Sequence, residues 1–167
     1  MKEMTKANLS AAFAGESQAH LKYTVFADLA EREGFSNIAR LFRAASFSEQ
    51  MHASAHLRAL GGANATASNL DAALTGENFE IAEMYPTYIA VAKEQDEQTA
   101  LKSMDRALQA EKVHSKLYAN AKTSAEAKKD IDLSAIFVCE VCGFTVENAA
   151  PDKCPVCGSP ANRFRKF

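Results

Sequence analysis

The chain has 167 residues, of which 47% are hydrophobic and 24% charged, and its formal net charge is −2. That length holds one ordinary domain, or one domain plus a small module, and the near-neutral balance gives no reason to expect nucleic acid or an acidic membrane as partner. No apolar run approaches the roughly 20 residues of a membrane span. The opening residues Met1 to Lys6 lead into an amphipathic pattern and lack the apolar core of a signal peptide, so a cytoplasmic protein is expected.

From Thr5 to about Glu33 apolar or small residues recur at Leu9, Phe13, Ala19, Tyr23, Phe26 and Ala30. This is a helical stripe, stopped by Gly34. A second helix is expected from Ser36 or Asn37, either of which can cap it, to Leu60, before Gly61 and Gly62. A third begins near Asn69 and runs through Leu74, Ile81 and Val91, with a kink expected at Pro86 because proline removes the bond to the Ala82 carbonyl. A fourth begins after Asp96, uses Leu101, Met104, Leu108 and Leu117, and fades through the polar segment 122–132. Four amphipathic helices with short connections predict an all-α four-helix bundle.

Carboxylates fall where the core should be. The first stripe lands on Glu16, the second on Glu49 and His52, the third on Glu77 and on Glu80 or Ile81, and the fourth on Glu111 and His114. Unpaired charges on buried faces cost several kcal/mol each, so something positive has to compensate them. The spacing repeats: Gly-Glu occurs at Glu16 and Glu77, and Glu-x-x-His follows at Glu49 and Glu111. The body therefore reads as a helical hairpin used twice. A glutamate from each of two helices plus Glu-x-x-His from the other two is the ligand set of a carboxylate-bridged dimetal site. Carboxylate oxygens with two imidazoles suit iron or manganese. A lone Glu-x-x-His on a helix is common without metal; it is the four matched features together that carry the reading. His20 and His56 have no counterpart in the repeat and read as hydrogen-bonded or surface histidines. Tyr23, Tyr85 and Tyr118 read as core, with hydroxyls that could bond ligand carboxylates, and Tyr23 and Tyr118 are favoured as partners of the ligands.

The four cysteines, Cys139, Cys142, Cys154 and Cys157, form two Cys-x-Val-Cys-Gly knuckles. In a reducing compartment that pattern argues for metal rather than disulfides. A tail of about 34 residues buries too little apolar surface to fold alone, so its metal is part of its stability. Structural zinc uses the same ligands; beside a di-iron body, iron is favoured.

The whole chain resembles rubrerythrin, a ferritin-like di-iron protein fused to a rubredoxin-like domain. The residues that carry the resemblance are the run from Ala14 to Ala19, Glu49-x-x-His52, the run from Gly76 to Glu80 followed by Glu83-Met-Tyr-Pro86, Glu111-x-x-His114, and both cysteine knuckles. The resemblance implies a ferritin-like bundle over 1–133 and a rubredoxin-like domain over 134–167. It assigns Glu16, Glu49, His52, Glu77, Glu80, Glu111 and His114 to a di-iron site, with Glu49 and Glu111 as bridges. Cys139, Cys142, Cys154 and Cys157 would hold a mononuclear iron. It further implies that one iron exchanges Glu80 for His52 on reduction. The expected activity is a peroxidase that reduces hydrogen peroxide to water in oxidative stress defence. Electrons would come through the cysteine-held iron from an NAD(P)H-linked reductase or a rubredoxin. An iron-storing or ferroxidase protein is the alternative. A homodimer is implied, in which the tail docks on its own bundle or its partner's; the loop 61–68 allows hairpins to be exchanged.

Overall fold

The structure, a computed structural model, describes residues 1–167. Four long helical rods and a small three-stranded sheet make up the chain, divided into two compact units, Met1–Asn64 and Ala65–Phe167. No helix is long and apolar enough to cross a membrane.

The first unit is a helical hairpin of α1 (Glu3–Arg32) and α2 (Ser36–Ala59). Its seam is lined by small residues: Ala27, Ala30, Ala39, Ser46 and Ala53 are all buried. Small side chains let the helix backbones approach closely, and the larger Tyr23, Phe26 and Phe42 then pack with ring centroids 5.6 to 6.3 Å apart, Phe26 edge-on to Phe42 and Tyr23 tilted against both. The turn between the helices uses Gly34 at φ 86°, a conformation that a Cβ would penalise. Neither expected cap is used. The hydroxyl of Ser36 instead donates to Glu31 Oε1 on α1, at 3.1 Å, and Arg43 donates to Glu31 Oε2 at 2.7 Å. Tertiary partners thus displace the local cap.

The second unit contains α3 (Thr66–Phe79), a π-helical segment (Glu80–Met84), α4 (Tyr85–Glu94) and α5 (Gln98–Glu126). The first three form one continuous rod. Where proline predicts a kink, the backbone widens by one residue: the Tyr85 N–H donates to the Glu80 carbonyl, and Pro86 falls in the first turn of α4. A π-turn accommodates the bond that proline cannot make, and such turns concentrate at functional positions. The fourth rod also outlasts its expected fading at Lys122, because Lys122 pairs with Asp71 on α3 and with Glu126 one turn on.

After an extended stretch come β1 (Ile136–Cys139), β2 (Thr145–Glu147), a 3-10 turn (Ala161–Arg163) and β3 (Phe164–Lys166). The strands form an antiparallel sheet in the order β2-β1-β3. In register, Phe137 faces Val146 on one side and Lys166 on the other. The sheet clamps the two cysteine knuckles, and β2 lies against α5.

Candidate metal centres

Each helical unit gathers three metal-ligating side chains. In the first, Glu16 comes from α1 and Glu49 and His52 from α2, with their ligand atoms all within 4.8 Å of one another. The Nδ1 of His52 lies 3.2 Å from Glu49 Oε2 and 3.8 Å from Glu16 Oε1. Glu16 and Glu49 share a hydrogen bond that raises the carboxyl of Glu16 and lowers that of Glu49. The imidazole of His52 is 54% exposed.

The second unit repeats the arrangement with Glu77 from α3 and Glu111 and His114 from α5. Here His114 Nδ1 lies 2.8 Å from Glu111 Oε2 and 3.9 Å from Glu77 Oε2. Burial pushes the Glu77 carboxyl up to about 7, and Glu111 adds to the shift. Oε2 of Glu77 is buried with no hydrogen-bond partner. Burial likewise raises Glu80, helped by the charge of Glu111. Glu80 stands next to this trio without joining its tightest cluster.

The other face of His114 is held by the cysteine module. Its Nε2 lies 2.8 Å from the Thr145 hydroxyl on β2, and Thr145 is buried. That hydroxyl donates to the Gly143 carbonyl at 3.1 Å, so it accepts from His114 Nε2–H. With Nε2 engaged by Thr145, Nδ1 is the ring nitrogen that faces the carboxylates. At 2.8 Å the Nδ1 of His114 and Oε2 of Glu111 are within hydrogen-bond reach, and a metal bound by both would take the place of the proton between them. An orphaned carboxylate oxygen, a ring nitrogen facing the carboxylates and a carboxyl pushed up to about 7 are what a metal-ligand group looks like without its metal.

The cysteines meet the same test. Cys139 and Cys157 place their sulfurs 3.6 Å apart, as do Cys142 and Cys154. A tetrahedron with metal–sulfur bonds of about 2.3 Å has an edge of about 3.8 Å. Glycines 143 and 158 adopt φ of 78° and 77°, which turns the N–H groups of each knuckle inward. Gly143 N–H donates to the Cys139 carbonyl and Gly158 N–H to that of Cys154. Burial pushes the Cys142 thiol up. Burial also raises Cys157, but bonds from the Ser159 hydroxyl and backbone outweigh it and hold that thiol down at about 6. One thiolate is thus ready at neutral pH, and a cation would draw the protons from the rest.

The three tyrosines with hydroxyls that could bond the ligands have different surroundings. Tyr23 packs among aromatic rings on the α1–α2 seam. Tyr118 lines a largely apolar cleft with Leu70, Leu117 and Ile136, which His114 and Thr145 also line. It is Tyr85 that faces carboxylates: burial and the charges of Glu80, Glu111 and Glu77 raise its hydroxyl, which stays protonated at neutral pH. The signal was Pro86 itself, since the π-turn before it changes the register of Tyr85. His20 is hydrogen-bonded as expected, its Nδ1 lying 2.9 Å from both the hydroxyl and the carbonyl oxygen of Ser46 across the hairpin.

Matched carboxylate–imidazole groups on two helical hairpins, joined to a four-thiolate knuckle pair, define a helical carboxylate metalloprotein with an attached thiolate centre. The comparisons agree. The rubrerythrin family model matches residues 7–122, and that of the rubrerythrin rubredoxin-like domain matches residues 137–165. Rubrerythrin-2 of Clostridium acetobutylicum is 37% identical, over 98% of this chain and 97% of its own length. Nigerythrin of Nitratidesulfovibrio vulgaris is 33% identical over 98% and 86%. The solved structure of fully reduced, all-ferrous nigerythrin matches with a TM-score of 0.56 at 32% identity, covering 98% of this chain and 86% of that one. The chain belongs to the rubrerythrin family. Its cofactors are a di-iron carboxylate site and one iron held by four cysteines.

Proposed function

We propose that the protein reduces hydrogen peroxide to water in defence against oxidative stress. Residues 1–133 would supply the di-iron ligands and 134–167 the thiolate centre. The observation that carries the reading is the hydrogen-bonded path His114–Thr145–Gly143, which links a di-iron ligand to the Cys142 knuckle. A storage protein has no use for such a link.

Cleaving the O–O bond of hydrogen peroxide to two waters consumes two electrons and two protons. A ferrous pair held there would supply both electrons, and an iron held by the four thiolates would supply one at a time. The chain's residues do the rest. Glu16, Glu77, Glu80, His52 and His114 would hold the iron pair as terminal ligands, with Glu49 and Glu111 shared between the two irons. Thr145 fixes the tautomer of His114. Tyr85 lies near enough to Glu80, Glu111 and Glu77 for their charges to raise its hydroxyl. Electrons come from an NAD(P)H-linked reductase or a rubredoxin, in the cytoplasm.

Following NADH consumption with an added reductase and peroxide tests the path. Cys157→Ser should abolish sustained turnover while reduced protein still removes one equivalent of peroxide in a single turnover. Undiminished NADH-driven turnover in that variant would show that the thiolate centre is not the entry point.

A further inference from the structure

The four cysteines of the C-terminal module are not equally covered. Cys139 and Cys154 are buried, whereas Cys142 and Cys157 are partly exposed. Cys142 lines a cleft of about 420 Å³ between the first knuckle and the N-terminal part of α5, together with Val141, Lys102 and Arg106. Val141 is 44% exposed and gives the edge an apolar centre of the kind found in docking patches.

The helix wall of this cleft is positive, on a chain whose net charge is −2. Lys102 is exposed and Arg106 half-buried, one turn further along the same face of α5. Lys112 and Lys116 line the next cleft, against Pro155 and Val156 of the second knuckle, and Asp105 is the acid among these linings. Of the lysines and arginines of α5, Lys122 is ion-paired, with Asp71 and Glu126, while Lys102, Arg106, Lys112 and Lys116 are in no ion pair. Glu140, next to Val141, is already matched by Arg163 and Arg165 at 3.8 and 3.4 Å. The uncompensated charge beside Cys142 is therefore positive. Arg106 and Lys102 lie about 12 and 18 Å along the α5 axis from His114. A molecule seated over Cys142 thus approaches the thiolate centre from the end away from the carboxylate ligands.

We propose that the Val141–Cys142 edge is where electrons enter, and that Lys102 and Arg106 dock an acidic one-electron carrier protein over it. Unpaired cations around an apolar centre steer and orient an anionic face, which raises the encounter rate. The carrier gives one electron because a four-thiolate iron accepts one at a time. The reduced carrier loses that electron and an iron held by the thiolates goes from ferric to ferrous; no bond forms or breaks and no proton moves. Two such transfers match the two electrons that each peroxide takes up. The proposal rests on the thiolate centre being the entry point, as argued above.

The iron-loaded full chain, with its thiolate iron reduced, is mixed in a stopped flow with hexacyanoferrate(III), an anion, and separately with tris(phenanthroline)cobalt(III), a cation. The ferric–thiolate absorption is followed, since oxidation by these ions uses the same edge in reverse. Lys102→Glu with Arg106→Glu is compared with Lys128→Glu with Lys129→Glu, which makes the same change in net charge at exposed residues beyond the far end of α5. For a trivalent ion about 10 Å away at about 0.1 M salt, reversing two cations changes the encounter rate roughly tenfold or more. The variant at Lys102 and Arg106 should therefore react about tenfold more slowly with the anion and faster with the cation, and about 1 M salt should erase both effects. The variant at Lys128 and Lys129 should stay within about twofold of wild type. Equal effects of the two variants, or no effect of the first while circular dichroism shows it folded, would overturn the docking site. With an acidic rubredoxin and its reductase, the KM for rubredoxin should rise about tenfold in the variant at Lys102 and Arg106. An unchanged KM beside a slowed anion would overturn the carrier protein as occupant and leave a site for small anions. Failure of the underlying reading is distinct: it shows as undiminished NADH-driven turnover in Cys157→Ser, whatever the two ions do.

Discussion

Replacing Glu77 by glutamine separates the cost of the buried carboxylate from its use. In iron-free protein this carboxyl titrates near 7 in the folded state against an ordinary value of 4.5, and its side chain is only 16% exposed. Between those values the folded chain binds more protons than the unfolded chain. The contribution of this group to stability is therefore fully present below about pH 4.5 and is lost as pH rises to about 7. At about 1.4 kcal/mol per unit, iron-free wild type should lose roughly 2 kcal/mol of stability from this group between about pH 5 and pH 8. Glu77→Gln cannot ionise and should lack that slope. The neutral amide carries its own fixed penalty in the same pocket, so the comparison is made across pH rather than at one pH. Urea unfolding of both proteins after chelation measures it. The iron-loaded proteins should rank the other way, because glutamine removes an anionic ligand. If the stability difference between the two iron-free proteins were the same at both pH values, the carboxylate would not be held against its charge, and the argument from its orphaned oxygen would fail.

Thr145→Val removes the group that fixes the His114 tautomer. It should weaken iron binding at the carboxylate site by about 10- to 100-fold, the usual effect of losing such a support, as read by competition with a chelator. Unchanged iron affinity would leave Thr145 with a packing role alone. His52→Ala should keep both irons in oxidised protein and slow turnover; loss of one iron from the oxidised variant would make His52 a permanent ligand. Chelating the thiolate iron should unfold the β1–β3 sheet, because so small a module depends on its metal. The β-sheet amides would then exchange freely with solvent, and retained protection would show that the sheet folds on its own.

Much of the site was legible because its determinants are local. Glu-x-x-His at 49–52 and 111–114 puts both ligands on one helix face whatever the helix packs against, and the Cys-x-Val-Cys-Gly knuckles build their own turns around Gly143 and Gly158. What escaped the sequence depends on non-local partners or on a change of register. Ser36 forgoes its cap for Glu31 on the neighbouring helix, and Lys122 prolongs α5 by reaching Asp71. Pro86 announces a disturbance but not its form. The π-turn that resolves it leads directly into Tyr85, which lies near the charges of Glu80, Glu111 and Glu77. The bond from His114 to Thr145 joins residues 31 positions apart, which no pattern along the chain reveals.

The peroxidase reading meets its most direct test in rapid mixing of fully reduced, iron-loaded protein with hydrogen peroxide, and separately with air-saturated buffer, while the spectrum of the di-iron site is followed. Peroxide is expected to oxidise the site far faster than air does. Oxidation no faster with peroxide than with air would contradict the reading.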